Sequence, residues 1–209
     1  MTFLSSLTDL NATLVLDTSV VINLLATGNS GAILRALNAP VVLTNYVVRE
    51  VEEGGAAGYS HYDLLKRAIN DEVFRTEELE GKILEDFFTL VSGSTTDTLG
   101  DGEAATLAFA HGFGFTAAID EKKATRISAE RFGKLKLVTT VDILAHQAVL
   151  SSLGTEKLAD ATFDAIRLAR MQVREYQFDW VAQAIGPARV DACPSLRKYA
   201  RRKLAAAQK

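Results

Sequence analysis

The chain contains 209 residues, of which 48% are hydrophobic and 23% are charged, and its formal net charge is -3. About 150 residues already suffice to bury ~70% of the surface that an unfolded chain exposes, so a mainly disordered protein is excluded. No segment reaches the roughly 18 apolar residues of a membrane span, and the N-terminus lacks the positive region and cleavage site of a signal peptide. We therefore expect a cytoplasmic protein without a membrane partner. Cys193 is the single cysteine, which excludes an internal disulfide and a cysteine zinc cluster.

The net charge is unevenly distributed along the chain. Residues 1–150 carry 12 Lys and Arg against 20 Asp and Glu, a net charge of -8, whereas residues 151–209 carry 11 against 6, a net charge of +5. Opposed charge in two parts of one chain often accompanies contact with nucleic acid. A solvated basic helix explains the positive part equally well, so both interpretations stay open.

Four short apolar runs predict buried strands, because each is bounded by turn or helix signals and is too short for a helix. In chain order they are TLVL at 13–16, PVVLT at 40–44, FTAAI at 115–119 and LKLVT at 135–139. The spacing of apolar residues predicts helices at 24–37, 46–53, 62–74, 79–91 and 103–111, the last one ended by Gly112. After Asp142 the pattern is helical only, with helices at 143–153, 156–171, 179–185 and 195–206.

Strands that alternate with helices predict an α/β fold, in which right-handed crossovers build a parallel sheet with helices on both faces. Ligands of such sheets bind beyond the carboxyl ends of the strands. Functional side chains are therefore expected at that edge of the sheet.

Two of the predicted strands run directly into acidic residues. TLVL is followed by Asp17, Thr18 and Ser19, and FTAAI is followed by Asp120 and Glu121. A carboxylate beside a buried strand must be paired, hydrated or bound to a cation. For Asp17 taken alone, helix capping is the better explanation, since Asp, Thr and Ser accept hydrogen bonds from the first amides of a helix.

Two predicted helices add acids near the same edge. Glu50 lies on the helix after the second strand, and Asp101 and Glu103 open the helix before FTAAI, where the helix dipole favours ionised carboxylates. Crowded carboxylates raise each other's pKa unless a divalent cation neutralises them. Oxygen ligands suit Mg²⁺ or Mn²⁺, and the three scattered histidines argue against zinc.

Four segments together carry a family resemblance: LVLDTSVVINLL, VVLTNYVVREV, LGDGEAATLAFA and AAIDEKKATRIS. In this order they resemble the PIN-domain nucleases, a superfamily that includes the VapC-like toxin ribonucleases of toxin–antitoxin pairs. The resemblance covers about residues 13–150 and implies a three-layer α/β/α fold with a central parallel sheet of four to five strands. It divides the chain into a PIN-like domain at 1–150 and a helical, basic C-terminal extension at 151–209.

The resemblance also implies an activity and the residues that carry it. The implied activity is that of a Mg²⁺- or Mn²⁺-dependent endoribonuclease that leaves a 5′-phosphate and a 3′-hydroxyl. The implied partners are an RNA substrate, an antitoxin protein and a second copy of the chain in a homodimer. The catalytic acids and metal ligands would be Asp17, Glu50, Glu103 and Asp120, with Asp101 as a further candidate ligand; Thr18, Ser19 and Glu121 would position water or ligands.

An acidic site needs positive charge at its rim to hold a polyanion. Candidates for nucleic-acid binding are Lys122, Lys123 and Arg126, directly after Asp120, and Arg197, Lys198, Arg201 and Arg202 near the C-terminus. Charges that spread around a helix suit phosphate contact without base readout. A solvated helix face, or docking onto the acidic body of another subunit, accounts for them equally well.

Two other functions fit parts of the pattern. A non-catalytic module that binds RNA or a protein would use the basic tail and keep the acids as vestiges. A phosphatase or a response-regulator-like receiver also gathers acids and Mg²⁺ at strand ends, but that scheme does not require Glu50 and Glu103 on helices. Intact acids at all four positions favour the nuclease.

Overall fold

The computed structural model describes residues 3–8, 12–56, 61–94 and 96–207. It contains five strands, β1 (Leu14–Leu16), β2 (Val41–Thr44), β3 (Arg75–Glu77), β4 (Thr116–Ala118) and β5 (Leu137–Val138). All neighbouring strands pair in parallel, in the order β3-β2-β1-β4-β5. The chain therefore builds the sheet outward from β1 to one side, then returns to build the other side from β4.

Helices connect the strands and continue after the last one. The helices are α1 (Thr18–Ala26), α2 (Ser30–Leu37), α3 (Asn45–Ala56), α4 (His61–Asn70), α5 (Gly81–Val91), α6 (Asp101–Phe113), α7 (Lys122–Arg131), α8 (Thr140–Leu144), α9 (Gln147–Leu168), α10 (Phe178–Ile185), α11 (Pro187–Ala192) and α12 (Pro194–Ala207). A single 3₁₀ turn, Glu175–Gln177, precedes α10. The C-terminal region is helical, as predicted.

Two hydrophobic cores lie on opposite faces of the sheet. Successive strand side chains point to opposite faces, so Leu14 and Leu16 enter one core whereas Val15 enters the other. The first core receives buried side chains of α1, α2, α9 and the C-terminal helices, and the second receives those of α5, α6 and α7. The predicted three-layer α/β/α architecture, with the sheet in the middle, is thereby confirmed.

All four predicted strands are present, but β3 was not predicted. Two of its three side chains are exposed and the third is half-buried, because β3 pairs with β2 on one side only and lies at an edge of the sheet. An edge strand of this kind leaves no run of apolar residues in the sequence. The sequence pattern therefore found the three inner strands and β5, the other edge strand, in which Val138 is buried.

Two helix boundaries differ from the prediction because of glycines in the left-handed region. The single helix predicted over 24–37 is two helices, α1 and α2, separated by a turn in which Gly28 has φ +66°. Gly112 was predicted to end a helix, which is wrong: it lies inside α6, and Gly114, with φ +67°, ends that helix. A positive φ costs glycine little, so Gly114 is the better terminator.

Helix α9 runs through residue 150, the predicted domain boundary. It packs on α1 and α2 and bends at Gly154, which has φ +76° and ψ +166°. Its buried residues Leu158, Ala165 and Ile166 belong to the same core as Leu14 and Leu16. A division of the chain near residue 150 stays a prediction.

Within the described ranges, no single helix is both long and apolar enough to cross a membrane. Helices α1 and α2 together meet the length and composition test, but they are bent by 115° relative to each other.

Candidate active site

The strand order creates a topological switch point between β1 and β4. The strands β2 and β3 are added on one side of β1, whereas β4 and β5 are added on the other side. Asp17 directly follows β1, and its amide donates to the Ala118 carbonyl of β4 at 3.1 Å. Asp120 lies two residues after β4. Ligand sites of parallel sheets lie beyond the carboxyl ends of strands at such a point. Both strand-end acids predicted from the sequence are thus at this edge.

Asp17 is almost completely buried, with 2% of its surface exposed. It caps α1, because its Oδ2 atom accepts hydrogen bonds from the Ser19 amide at 3.2 Å and the Ser19 hydroxyl at 2.7 Å. Burial raises the pKa of Asp17 to about 6, although these hydrogen bonds lower it and the nearby charge of Glu50 raises it further. Asp17 therefore both caps α1 and has a raised carboxyl pKa.

Glu50 joins three helices at the site. The Thr18 hydroxyl of α1 donates to its Oε2 atom, and the Gly102 amide of α6 donates to its Oε1 atom at 2.9 Å. A Cβ atom at position 102 would overlap both the Glu50 carboxylate and the Thr18 hydroxyl. Only glycine lets the start of α6 approach α3 this closely, so Gly102 fixes the position of Glu50.

Of the four predicted acids, Glu103 has the negative charge that hydrogen bonds stabilise least. It is half-buried near the start of α6, and the Gly100 amide donates to its Oε2 atom at 3.4 Å. Burial first, and then the charges of Asp17, Glu121 and Glu50, raise the pKa of Glu103 to about 7. Close to neutral pH, this carboxyl therefore gains most from a nearby cation.

Asp120 is as buried as Asp17, with 3% of its surface exposed, but its carboxylate accepts more hydrogen bonds. Its Oδ1 atom accepts from the Thr140 amide at 2.8 Å, and its Oδ2 atom accepts from the Thr140 hydroxyl at 2.6 Å and from the Asn23 side chain at 2.7 Å. Burial raises the pKa of Asp120, while these hydrogen bonds and Arg174 oppose the shift. The carboxylate is held by donors on α1 and α8.

Glu103, Asp120 and Glu121 line a pocket of about 260 Å³, which we call the acid pocket. Its lining includes Ser19, Asn23, Glu103, Asp120, Glu121 and Gln172. Glu121 caps α7 and accepts a hydrogen bond from the Gln172 side chain at 3.2 Å. The predicted residues Asp17, Thr18, Ser19, Glu50, Glu103, Asp120 and Glu121 are thus linked by shared hydrogen bonds, mutual electrostatics or a common pocket.

Asp101 lies apart from this group. It is exposed at the start of α6 and forms an ion pair with Arg49 at 3.6 Å. Within the described ranges, Asp101 shares no hydrogen bond or ion pair with Asp17, Glu103 or Asp120, and it does not line the acid pocket. Its role as a further ligand stays a prediction.

The basic residues predicted to bind RNA lie in two places. Arg126 on α7 donates to the Glu130 carboxylate at 2.9 and 3.0 Å and to the Thr96 carbonyl at 2.9 Å, so its guanidinium is already engaged. Lys122 is exposed and Lys123 is half-buried on the same helix. The four predicted residues of α12 are all exposed: Arg197, Lys198, Arg201 and Arg202, the last of which pairs with Glu175 at 3.7 Å.

Three site residues were missed in the sequence: Asn23, Gly102 and Thr140. Thr140 lies two residues after β5, so the rule that functional residues follow the ends of parallel strands could have predicted it. Gly102 stands between two predicted acids, but its close approach to Glu50 depends on helix packing. Asn23 lies inside α1, 97 positions from Asp120, and no local pattern marks it.

A divalent cation at this edge would have to be held by these side chains. In the described part of the chain, no three or more His, Cys, Asp or Glu side chains converge closely enough to hold a metal ion as they stand. The chemistry of the set is nevertheless that of a hard cation site, because all donors are oxygen atoms and the carboxylates of Asp17 and Glu103 are destabilised by burial and, to a smaller extent, by neighbouring negative charge. The residues fit Mg²⁺ or Mn²⁺ in donor type and charge.

A larger cavity of about 720 Å³ lies along β3 and the amino ends of β1, β2 and β4, and Glu77, Glu78 and Glu80 are among its lining residues. It is lined by residues that precede β1, β2 and β4, among them Thr13, Pro40 and Phe115. Phe113 and Phe115 stack there with ring centroids 5.4 Å apart. None of the predicted site residues lines it, so the acids select the smaller pocket as the candidate active site.

Comparison with known proteins gives one match. A family model described as PIN domain matches residues 13–178, which include every strand, all four predicted acids and the helices up to the start of α10. No curated protein and no solved structure matches the chain. PIN domains are in general nucleases, so the match supports a nuclease-type fold and, at that coarse level, a hydrolase. The chain belongs to the PIN-domain family.

Proposed function

We propose that the protein is a Mg²⁺- or Mn²⁺-dependent endoribonuclease that hydrolyses RNA phosphodiester bonds. One observation carries the proposal: acids from four separate elements meet at the switch point, and burial with mutual repulsion raises the pKa of Asp17 to about 6 and of Glu103 to about 7. Such destabilised carboxylates gain most when a cation replaces the lost solvation. Membership of a nuclease family supports phosphodiester hydrolysis as the reaction.

The contacts of the site residues indicate a separate role for each of them. Asp17, Glu103 and Asp120 would be the ligands of the ion. Glu50, on α3, would add a further negative charge that attracts it. Thr18 and Ser19 keep the carboxylates of Glu50 and Asp17 in place through their hydroxyl groups. When bound, Mg²⁺ or Mn²⁺ would activate a water for in-line attack on phosphorus and stabilise the departing 3′ oxygen. The products would carry a 5′-phosphate and a 3′-hydroxyl.

The substrate is proposed to bind mainly through its phosphates. Lys122 is exposed, as are Arg197, Lys198, Arg201 and Arg202 of α12, and charge of this kind binds the backbone without reading the sequence. Binding of this type weakens steeply as salt concentration rises. We expect RNA affinity to show that dependence.

The biological role is proposed to be that of a toxin in a toxin–antitoxin pair, acting in the cytoplasm as a homodimer. In this role an antitoxin would inhibit the enzyme by placing an arginine among the acids. A destabilised cluster of carboxylates offers such an arginine a favourable partner. A neighbouring reading frame for a small DNA-binding protein would support this role.

Cleavage assays test the proposed activity. Structured and unstructured RNA are incubated with the protein in Mg²⁺, and the same reactions are run with a chelator and with Asp17→Asn. We expect cleavage by the wild type only when metal is present, and a loss of at least a thousandfold in the variant. Asp63→Asn, on the exposed surface of α4, is the matched control and should cleave normally. Equal cleavage by Asp17→Asn would sink the active-site assignment.

A second candidate is a non-catalytic module with a vestigial acid site. The side chains as they stand do not form a closed coordination shell among the described residues, which favours this alternative. Calorimetry with Mn²⁺ separates the two. The enzyme should bind Mn²⁺ in a manner that Glu103→Gln weakens, whereas a vestigial site should bind none.

A further inference from the structure

Arg170 lies where two pockets meet at the acidic edge. It lines the acid pocket, and it also lines a neighbouring pocket of about 290 Å³ that includes Glu50 and His61. Ile22, Ala169 and Arg170 are the residues that these two pockets share. Arg170 therefore shares one pocket with Glu50 of α3 and another with the carboxylates that follow β4.

The Arg170 guanidinium makes no hydrogen bond or ion pair with any residue that the structure describes, and the residue is exposed. Arg174, four positions later, behaves differently: it donates to the Asp120 carbonyl at 3.1 Å and to the Thr125 hydroxyl at 3.0 Å. Arg174 thus holds the loop after β4, while Arg170, which lines the acid pocket, has no such partner among the described residues.

The backbone at Arg170 is one that glycine adopts more readily. Its φ is +59°, and the next residue, Met171, donates its amide to the Ala165 carbonyl at 3.1 Å, a bond that closes the turn at the end of α9. Asn38 and Glu72 are the other non-glycine residues with positive φ in the described ranges, and neither lines these two pockets. An arginine therefore occupies a glycine-favoring position next to the acids, which points to a use for its side chain.

We propose that Arg170 binds a phosphate of the RNA strand at the junction of the two pockets, beside the acids that cut it. This inference rests on the proposed nuclease function. A phosphate cannot approach several carboxylates without a positive charge nearby, and the planar guanidinium can hold two phosphate oxygens at once.

The strand then has a basic route away from the acids. A third pocket, of about 340 Å³, shares Arg170 and is lined by Arg167 and by Cys193 and Ser195 near the start of α12. Arg167 and Arg197 both lie near enough to Cys193 to lower the pKa of its thiol, which burial raises. Arg170 therefore connects the acid pocket to the exposed charges of α12.

Arg170→Gly tests the inference, because glycine suits the left-handed backbone while removing the guanidinium. We expect an unchanged or higher melting temperature, a KM for single-stranded RNA about tenfold higher, and a kcat within about twofold of the wild type. The slope of log affinity against log salt should fall by about 0.7, the value of one lost phosphate contact on a single strand. Arg170→Asn, which also tolerates this backbone, should repeat the result, and Arg170→Lys should lie between.

Glu72→Gly is the matched control, since Glu72 has φ +55° after α4, away from both pockets. It should share any gain in melting temperature but leave KM and the salt slope unchanged. Wild-type KM and salt slope in Arg170→Gly and Arg170→Asn would overturn the role of Arg170 while leaving the nuclease intact. Failure of the wild type itself to bind and cut RNA would overturn the nuclease and this inference together.

Discussion

The two cavities beside the sheet differ in how their acids are placed. At the carboxyl edge, a pocket of about 260 Å³ is surrounded by buried and half-buried acids. The larger cavity of about 720 Å³ is lined by Phe109, Phe113 and Phe115 and also by three acids that are exposed or half-buried, Glu77, Glu78 and Glu80. Cavity size and the burial of acids therefore point to different places, and the buried acids identify the functional one.

The difference follows from the direction of the chain. Helices begin at the carboxyl edge, and their first amides have no partner within the helix, so they can hold carboxylates. Three acids use such an amide: Asp17 that of Ser19, Glu50 that of Gly102 and Asp120 that of Thr140. Helices end toward the amino edge, as α6 does at Gly114, where free carbonyl groups would repel acids. A parallel sheet thus collects amide-bound carboxylates at its carboxyl edge.

The largest expected effect is the cost in stability of the Asp17 charge. Its pKa is raised from 3.8 to about 6 in the folded protein. The folded protein therefore binds this proton more tightly, and the free energy of unfolding falls as pH rises from about 4 to 6 and stays low above that range. The shift corresponds to about 3 kcal/mol.

Urea denaturation of metal-free protein measures this cost. Asp17→Asn should be more stable than the wild type at pH 8 by up to about 3 kcal/mol, and the difference should vanish near pH 4. Mn²⁺ should stabilise the wild type at pH 8 far more than the variant. A wild type as stable as Asp17→Asn at pH 8 without metal would contradict the buried charge.

The next effect in size concerns the close approach of α6 to α3. Gly102→Ala places a methyl group against the Glu50 carboxylate and the Thr18 hydroxyl, so one of them must move. A displacement of about 1 Å at a reacting centre can reduce the rate about a hundredfold, and we expect a loss of that size in kcat/KM for RNA. In Gly133→Ala the added methyl meets only the Ala129 carbonyl at 3.6 Å, so this control should retain full activity. Full activity in Gly102→Ala would show that the position of Glu50 is unimportant.

The sequence predicted the parts of the site that follow from local rules. Asp17 and Asp120 follow apolar strands, and the rule of strand ends places both at one edge. Glu50 and Glu103 lie on helices, so their prediction required the helix pattern as well as the resemblance to a known family. Asn23 and Arg170 could not be predicted, because their roles depend on which helix packs beside which strand end. The same limit explains β3, whose exposed edge position leaves no apolar signal.

A smaller effect is expected where Asn23 holds Asp120. Its side chain is buried and donates to Asp120 at 2.7 Å and to Thr140 at 3.3 Å. Asn23→Ala leaves the Oδ2 atom of Asp120 with the Thr140 hydroxyl alone, and we expect the free energy of unfolding to fall by about 1 to 3 kcal/mol. Asn29→Ala is the control, because that side chain donates to the Thr27 carbonyl from a half-buried site. Equal stability losses in the two variants would mean that Asn23 has no special role at the acid edge.

The smallest effect is expected at the amino edge. Phe113 is 55% exposed and stacks on Phe115, so Phe113→Ser should lower the free energy of unfolding by no more than about 1 kcal/mol. The sheet separates this ring from the acid pocket, and kcat and KM for RNA should both stay within about twofold of the wild type. Steady-state cleavage of single-stranded RNA measures both constants. A tenfold rise in KM would instead show that RNA reaches the aromatic cavity, and the two edges would then act together on one substrate.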